Sequence, residues 1–96
     1  MEGKGSKMKK SYEETIDYLE KGIWVIIEFK KKAGLNSFKP YGYVQKHVYD
    51  LFGDLGPTEN DTIRRALLEK IFDRFSFYEG LTIIGDNQFD KAIYWK

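Results

Sequence analysis

Apolar residues recur at helical spacing in three stretches of this chain and alternate with polar ones in shorter runs between and after them. The best-defined stretch is 58–75. Winding it at the helical period gathers Ile63, Leu67, Leu68, Ile71, Phe72 and Phe75 on one arc, while Thr62, Arg65, Glu69 and Asp73 fall on the opposite side. Gly56-Pro57 breaks the chain ahead of it, Thr58 is placed as N-cap, and Asp61 three residues on completes a capping box. Upstream, 41–52 carries Tyr41, Val44, Val48, Leu51 and Phe52 at a spacing that packs one helix on the other, with Leu55 plugging the core at the turn. A further helix opens at Ser11, boxed by Glu14, and ends at Gly22, with Tyr12, Thr15, Ile16 and Leu19 inward. Its outer residues, Glu13, Glu14, Asp17 and Glu20, read as a solvated acidic face.

The run 23–29 fits two descriptions. Its β-branched residues after a glycine favour a strand with Ile23, Val25, Ile27 and Phe29 on one face; Ile23, Ile26, Ile27 and Lys30 also suit a helix ending at Gly34. The strand is the expectation, and it would pair with a terminal hairpin. That hairpin is read from 81–84 and 92–95, with Gly85-Asp86-Asn87-Gln88 supplying turn residues able to take positive φ. Residues 34–40 read as loop, with Ser37 available as a cap and Pro40 in the first turn of the next helix. Helix, turn, helix, hairpin is the order of a winged helix-turn-helix domain. The expected fold class is α+β: three helices with a small antiparallel sheet ending in a β-hairpin wing, over a single domain at 11–96.

Leu55-Gly56 followed by Thr62-Ile63-Arg64-Arg65-Ala66-Leu67 resembles the turn and recognition helix of bacterial GntR-type winged-helix regulators. The likeness covers about the last half of the chain. It implies a DNA-binding fold whose helix 58–75 enters the major groove. The connection from Gly56 to Ile63 is one residue longer than that family's, and Glu59 and Asp61 stand where it carries neutral or basic groups facing phosphate.

Charge complicates that picture. Over 1–10 four lysines face one glutamate, over 11–49 six basic residues meet five acidic, and over 50–96 nine acidic residues outnumber six basic, giving +3, +1 and −3. The basic excess thus lies away from the reading helix, although affinity for nucleic acid comes mainly from neutralising phosphates. Residues 1–10 read as a disordered basic arm, either a solubilising tail or a phosphate-touching one. Lys30, Lys31 and Lys32 are the compact basic run of the folded part: a solvated helix or strand end, or a backbone contact. The absence of cysteine excludes disulfides, thiolate catalysis and cysteine zinc sites. The sixteen aromatic residues supply a dense core for one domain of this size. No run is long and apolar enough to span a bilayer, and no apolar segment of a secretory signal follows the charged start, so the expected location is the cytoplasm.

Enzyme chemistry has little to build on. No Gly-rich phosphate loop occurs, Ser11, Ser37 and Ser76 sit at caps or turns, and His47 is the single imidazole, without a second histidine to form a metal site. Glu69 and Asp73 share a helix face, but Arg65 offers Glu69 an ordinary surface ion pair. The expectation is a protein with no enzyme activity, metal or cofactor.

Two functions remain. In the first, a small transcriptional regulator binds double-stranded DNA as a homodimer: Arg65 reaches guanine, Asn60 adenine and Glu69 cytosine, Thr62 touches phosphate or a thymine methyl, and Arg64 stands beside them. Lys30, Lys31, Lys32, Lys46 and the arm neutralise the backbone. In the second, the same fold is an interaction module, such as an accessory or virus-encoded modulator of a host complex, that binds a protein through its acidic wing and helix face. The two separate on whether the basic groups share a face with Arg65.

Overall fold

In the computed structural model, which describes residues 12–53 and 56–96, the first helix runs unbroken from Tyr12 to Lys32 (α1). The strand expected over 23–29 is therefore helix, and Gly22 is an interior residue. Packing explains the outcome. Ile16, Leu19, Ile23 and Ile27 recur at three- and four-residue steps and each is buried, so continuing the helix buries two more isoleucines on the same side. That burial outweighs the modest strand preference of β-branched residues. The stop comes at Gly34, whose φ of +83° favours glycine. Its N–H donates to the Lys31 carbonyl at 3.0 Å and that of Leu35 to the Lys30 carbonyl at 2.9 Å, the paired closure of a Schellman motif.

The third strand comes from the segment expected as loop. Ser37–Phe38 (β1) pairs antiparallel with Ala92–Tyr94 (β3), which also pairs antiparallel with Thr82–Ile84 (β2), so the sheet order is β1-β3-β2. Ser37, expected as a cap, lies opposite Tyr94, and Phe38 opposite Ile93. Trp95 secures this edge: its backbone N–H donates to Asn36 and its indole N–H to the Leu35 carbonyl, at 3.1 and 3.0 Å. In the hairpin only Gly85 takes a positive φ; Asn87 instead accepts the Phe89 and Asp90 N–H groups on its side-chain oxygen.

Tyr41–Phe52 (α2) and Pro57–Phe75 (α3) form at the expected places and pack on each other. Pro40 is the N-cap of α2 rather than part of its first turn. The start of α3 also differs from expectation. Gly56 is the N-cap, Pro57 takes the first helical position, where its missing N–H costs nothing, and the Glu59 carboxylate accepts the Gly56 N–H at 3.2 Å. Thr58 is simply an exposed residue of the first turn.

From α3, Leu67, Leu68, Ile71, Phe72 and Phe75 enter the core as the periodicity requires, and Ile63 is half-buried against it. They meet the isoleucines of α1, Val44 and Val48 of α2, and Ile93 and Trp95 of the sheet side. The result is a small α+β fold of three helices and a three-stranded antiparallel sheet. Tyr12, expected in the buried stripe of α1, is exposed. The acidic face beside it is not merely solvated: Arg74 of α3 bonds Asp17 at 2.5 Å, Glu20 at 2.9 Å and Glu13 at 2.8 Å. The expected cap at Ser11, the arm over 1–10 and the plug at Leu55 lie outside the described residues.

Candidate nucleic-acid interface

Thr62, Arg65 and Glu69 stand exposed along α3, on the side away from the core stripe. Thr62 is partly occupied, its hydroxyl donating to the Thr58 carbonyl at 3.0 Å. Arg65 is held by Asp61, one turn earlier, through a 2.8 Å bond from Nε; the ion pair expected with Glu69 is made with Asp61 instead. The guanidinium keeps the Asp61 carboxyl below the usual carboxylate range, and the carboxylate raises the guanidinium in turn.

Asn60 and Arg64 are elsewhere. Both are buried, at 1% and 6% exposure, which removes them from any surface that could read bases. Arg64 Nη1 donates to Asn60 Oδ1 at 2.6 Å, Nη2 bonds Asp61, and the guanidinium lies over the Tyr41 ring at 4.8 Å. Tyr41 in turn packs on Phe89 of the hairpin loop, 4.4 Å between centroids, and Gln88 donates to the Arg65 carbonyl at 3.1 Å. These residues latch the start of α2 and the hairpin loop onto α3. The signal for this lay in the sequence: residues 60, 64, 67, 71 and 75 advance by three or four along one stripe, and that stripe is the core's.

The tri-lysine run lies at the end of α1, away from Arg65. Tyr12 at the start of α1 donates its hydroxyl to the Ala66 carbonyl, and Trp24 packs on Phe75 at 5.4 Å, so α1 and α3 run side by side in the same direction. At 1.5 Å per residue, Lys31 lies about 10 Å beyond Trp24, and Arg65 about 15 Å before Phe75. The structure therefore places the tri-lysine run roughly 25 Å along this axis from Arg65. Lys30 sits over the Phe38 ring at 5.8 Å, Lys31 pairs loosely with Glu28 at 3.9 Å, and Lys32 is exposed. Lys46 is exposed on α2.

Two further cations adjoin α3. Lys70 and Lys91 line a groove of about 870 Å³ between α3 and the hairpin, together with Glu69, Phe72, Asp73 and Gln88. Lys91 Nζ lies over the Phe72 ring at 5.3 Å. On the outer side of α3 four carboxylates, Glu59, Asp61, Glu69 and Asp73, stand against two cations, Arg65 and Lys70; Lys91 comes from the hairpin, which also carries exposed Asp86 and Asp90. His47 is half-buried between Tyr18 and Tyr43, at 5.8 and 4.4 Å between ring centroids. Among the described residues no group of three acidic or imidazole side chains is placed to hold a metal ion, and no helix is long and apolar enough to cross a membrane.

No family model, curated protein or solved structure matches this chain.

Proposed function

We propose that this chain is a winged-helix module, a small regulator without enzymatic activity, that meets double-stranded DNA through the exposed face of α3. The order helix, strand, helix, helix, hairpin, with β1 joined to the sheet beside β3, is compatible with a winged-helix layout, in which α2 and α3 are the helix-turn-helix and residues 85–91 the wing. Thr62, Arg65 and Glu69 are the reading groups, while Lys70 and Lys91 flank them as backbone contacts.

The observation that carries this reading is the Tyr12–Ala66 hydrogen bond. It brings Tyr12, which follows Lys9, Lys10 and Ser11 in the sequence, beside the middle of α3. The lysines that precede Tyr12 in the sequence, Lys4, Lys7, Lys9 and Lys10, are the charges proposed to offset the carboxylates of the face. Lys30, Lys31 and Lys32 are left out of the interface.

The test is binding of the full chain to random duplex DNA at low and physiological salt. Replacing Lys4, Lys7, Lys9 and Lys10 by glutamine should lower affinity on every sequence and flatten its salt dependence, whereas Arg65→Ala should relax preference at one position of any selected site. The same neutralisation of Lys30, Lys31 and Lys32 should leave the slope unchanged. Absence of low-salt binding sinks the reading.

A second reading rests on the carboxylates of the α3 face themselves. Four of them against Arg65 and Lys70 suit a basic protein surface as well as DNA with a compensating arm. Under it the lysine variants would not alter partner binding, and charge reversal at Glu69 and Asp73 would abolish it.

A further inference from the structure

Opposite its buried isoleucines, α1 presents a line that nothing in the described fold covers. Val25 and Phe29 are 69% and 74% exposed, and Lys21, Glu28 and Lys32 stand exposed around them. Val25 and Phe29 are one helical turn apart, and Lys21, Glu28 and Lys32 lie one turn before, between and after them on the same side of the helix. We propose that this line packs against α1 of a second copy of the chain, antiparallel, about a two-fold axis passing between Trp24 and Val25. The proposal is independent of what the α3 face binds.

Charge selects both the occupant and the direction. Lys21 and Glu28 lie at equal distances on either side of the axis, so each meets the other residue of the second copy, twice per dimer. A parallel pair would set Lys21 against Lys21 and Glu28 against Glu28, at a cost in each contact. The larger charge distribution agrees. Glu13, Asp17 and Glu20 share the single guanidinium of Arg74, leaving an excess of two negative charges on the first half of α1, while Lys30, Lys31 and Lys32 crowd its last turn. Antiparallel helices bring each half against its complement and oppose the helix dipoles. Such an arrangement is closed and self-complementary, so it stops at two copies. It also gives the tri-lysine run, remote from Arg65, a counter-surface.

One helix per copy is less than the roughly 800 Å² per partner of a standard interface, so the dimer is a weak, salt-sensitive one. Sedimentation of the full chain without DNA, at concentrations up to about 1 mM, should show a reversible monomer–dimer equilibrium. Lys21→Glu and Glu28→Lys, each alone, turn two attractive contacts into two repulsive ones and should weaken dimerisation about tenfold, with an unchanged helical circular-dichroism spectrum. An equimolar mixture of these two variants should dimerise again, because each mixed pair regains both opposite-charge contacts. Phe29→Ser should behave as a monomer. A wild-type chain that is monomeric throughout, single variants that dimerise as tightly as wild type, or a mixture that does not recover would each overturn the proposal. Loss of DNA binding with the dimer intact would instead count against the α3 reading alone.

Discussion

The Tyr12 hydroxyl donates to the Ala66 carbonyl across 3.1 Å and fixes the start of α1 to the middle of α3. Although the residue as a whole is exposed, partial desolvation of its hydroxyl against α3, more than its acidic neighbours Glu13 and Glu69, raises the phenol above its ordinary range. Tyr12→Phe removes one neutral bond at a partly exposed site, so unfolding in denaturant should show a loss of about 1 kcal/mol or less. If this bond matters to DNA binding, the same variant should also lose affinity for random duplex; unchanged affinity would show that the arm acts without this anchor.

Arg74 joins α1 to the end of α3, and three carboxylates converge on it. Those carboxylates drive its pKa upward, the bonds from Asp17 and Glu20 first. Arg74→Gln keeps a polar side chain but leaves Glu13, Asp17 and Glu20 facing one another. We expect a stability loss of about 1–2 kcal/mol, lowering the melting temperature by roughly 4–8 °C per kcal/mol. The loss should shrink in about 1 M salt, because the repulsion it exposes lies near the surface. A deficit unaffected by salt would assign the effect to packing instead.

Asp61 links acidity to the start of α3. Its carboxyl is held down in the folded chain by Arg65 and then Arg64, so on acidification the unfolded chain takes up this proton first. The contribution is complete above the ordinary carboxylate range and lost as pH falls through the lowered folded value. Asp61→Asn should therefore be less stable than wild type at neutral pH and equal to it in strong acid, as read by melting curves from neutral to acid pH. The variant also frees Arg65 and removes a negative charge from the α3 face, and should strengthen duplex binding. Weaker binding would mean that Asp61 positions Arg65.

Gly22 faces Tyr43 of α2 so closely that an added Cβ would fall within the ring's hydroxyl end. Gly22→Ala should gain about 1 kcal/mol of helix propensity and still destabilise the protein, because the tyrosine must move. Shortening that ring in Gly22→Ala combined with Tyr43→Phe should recover part of the loss. Additive losses in the double variant, measured by denaturant titration, would show that the two do not meet.

Much of this architecture was legible because it rests on periodicity. Helices α2 and α3, the inward set Leu67, Leu68, Ile71, Phe72 and Phe75, and the hairpin from β2 to β3 follow from residue spacing and from Gly and Asn at the turn. The outward placement of Thr62, Arg65 and Glu69 follows from the same period. Contacts distant in sequence decided the rest. Local preference left 23–29 divided between strand and helix, and burial against α2 and α3 settled it as helix. Ser37–Phe38 became a strand because β3 offered a free edge, which no local signal in a two-residue segment can announce. Asn60 and Arg64 looked like reading groups by residue type, yet Tyr41 and the hairpin loop close over them. Sequence fixes which residues share a face; only the packed chain fixes what that face meets, because burial is a property of neighbours brought together from distant parts of the chain.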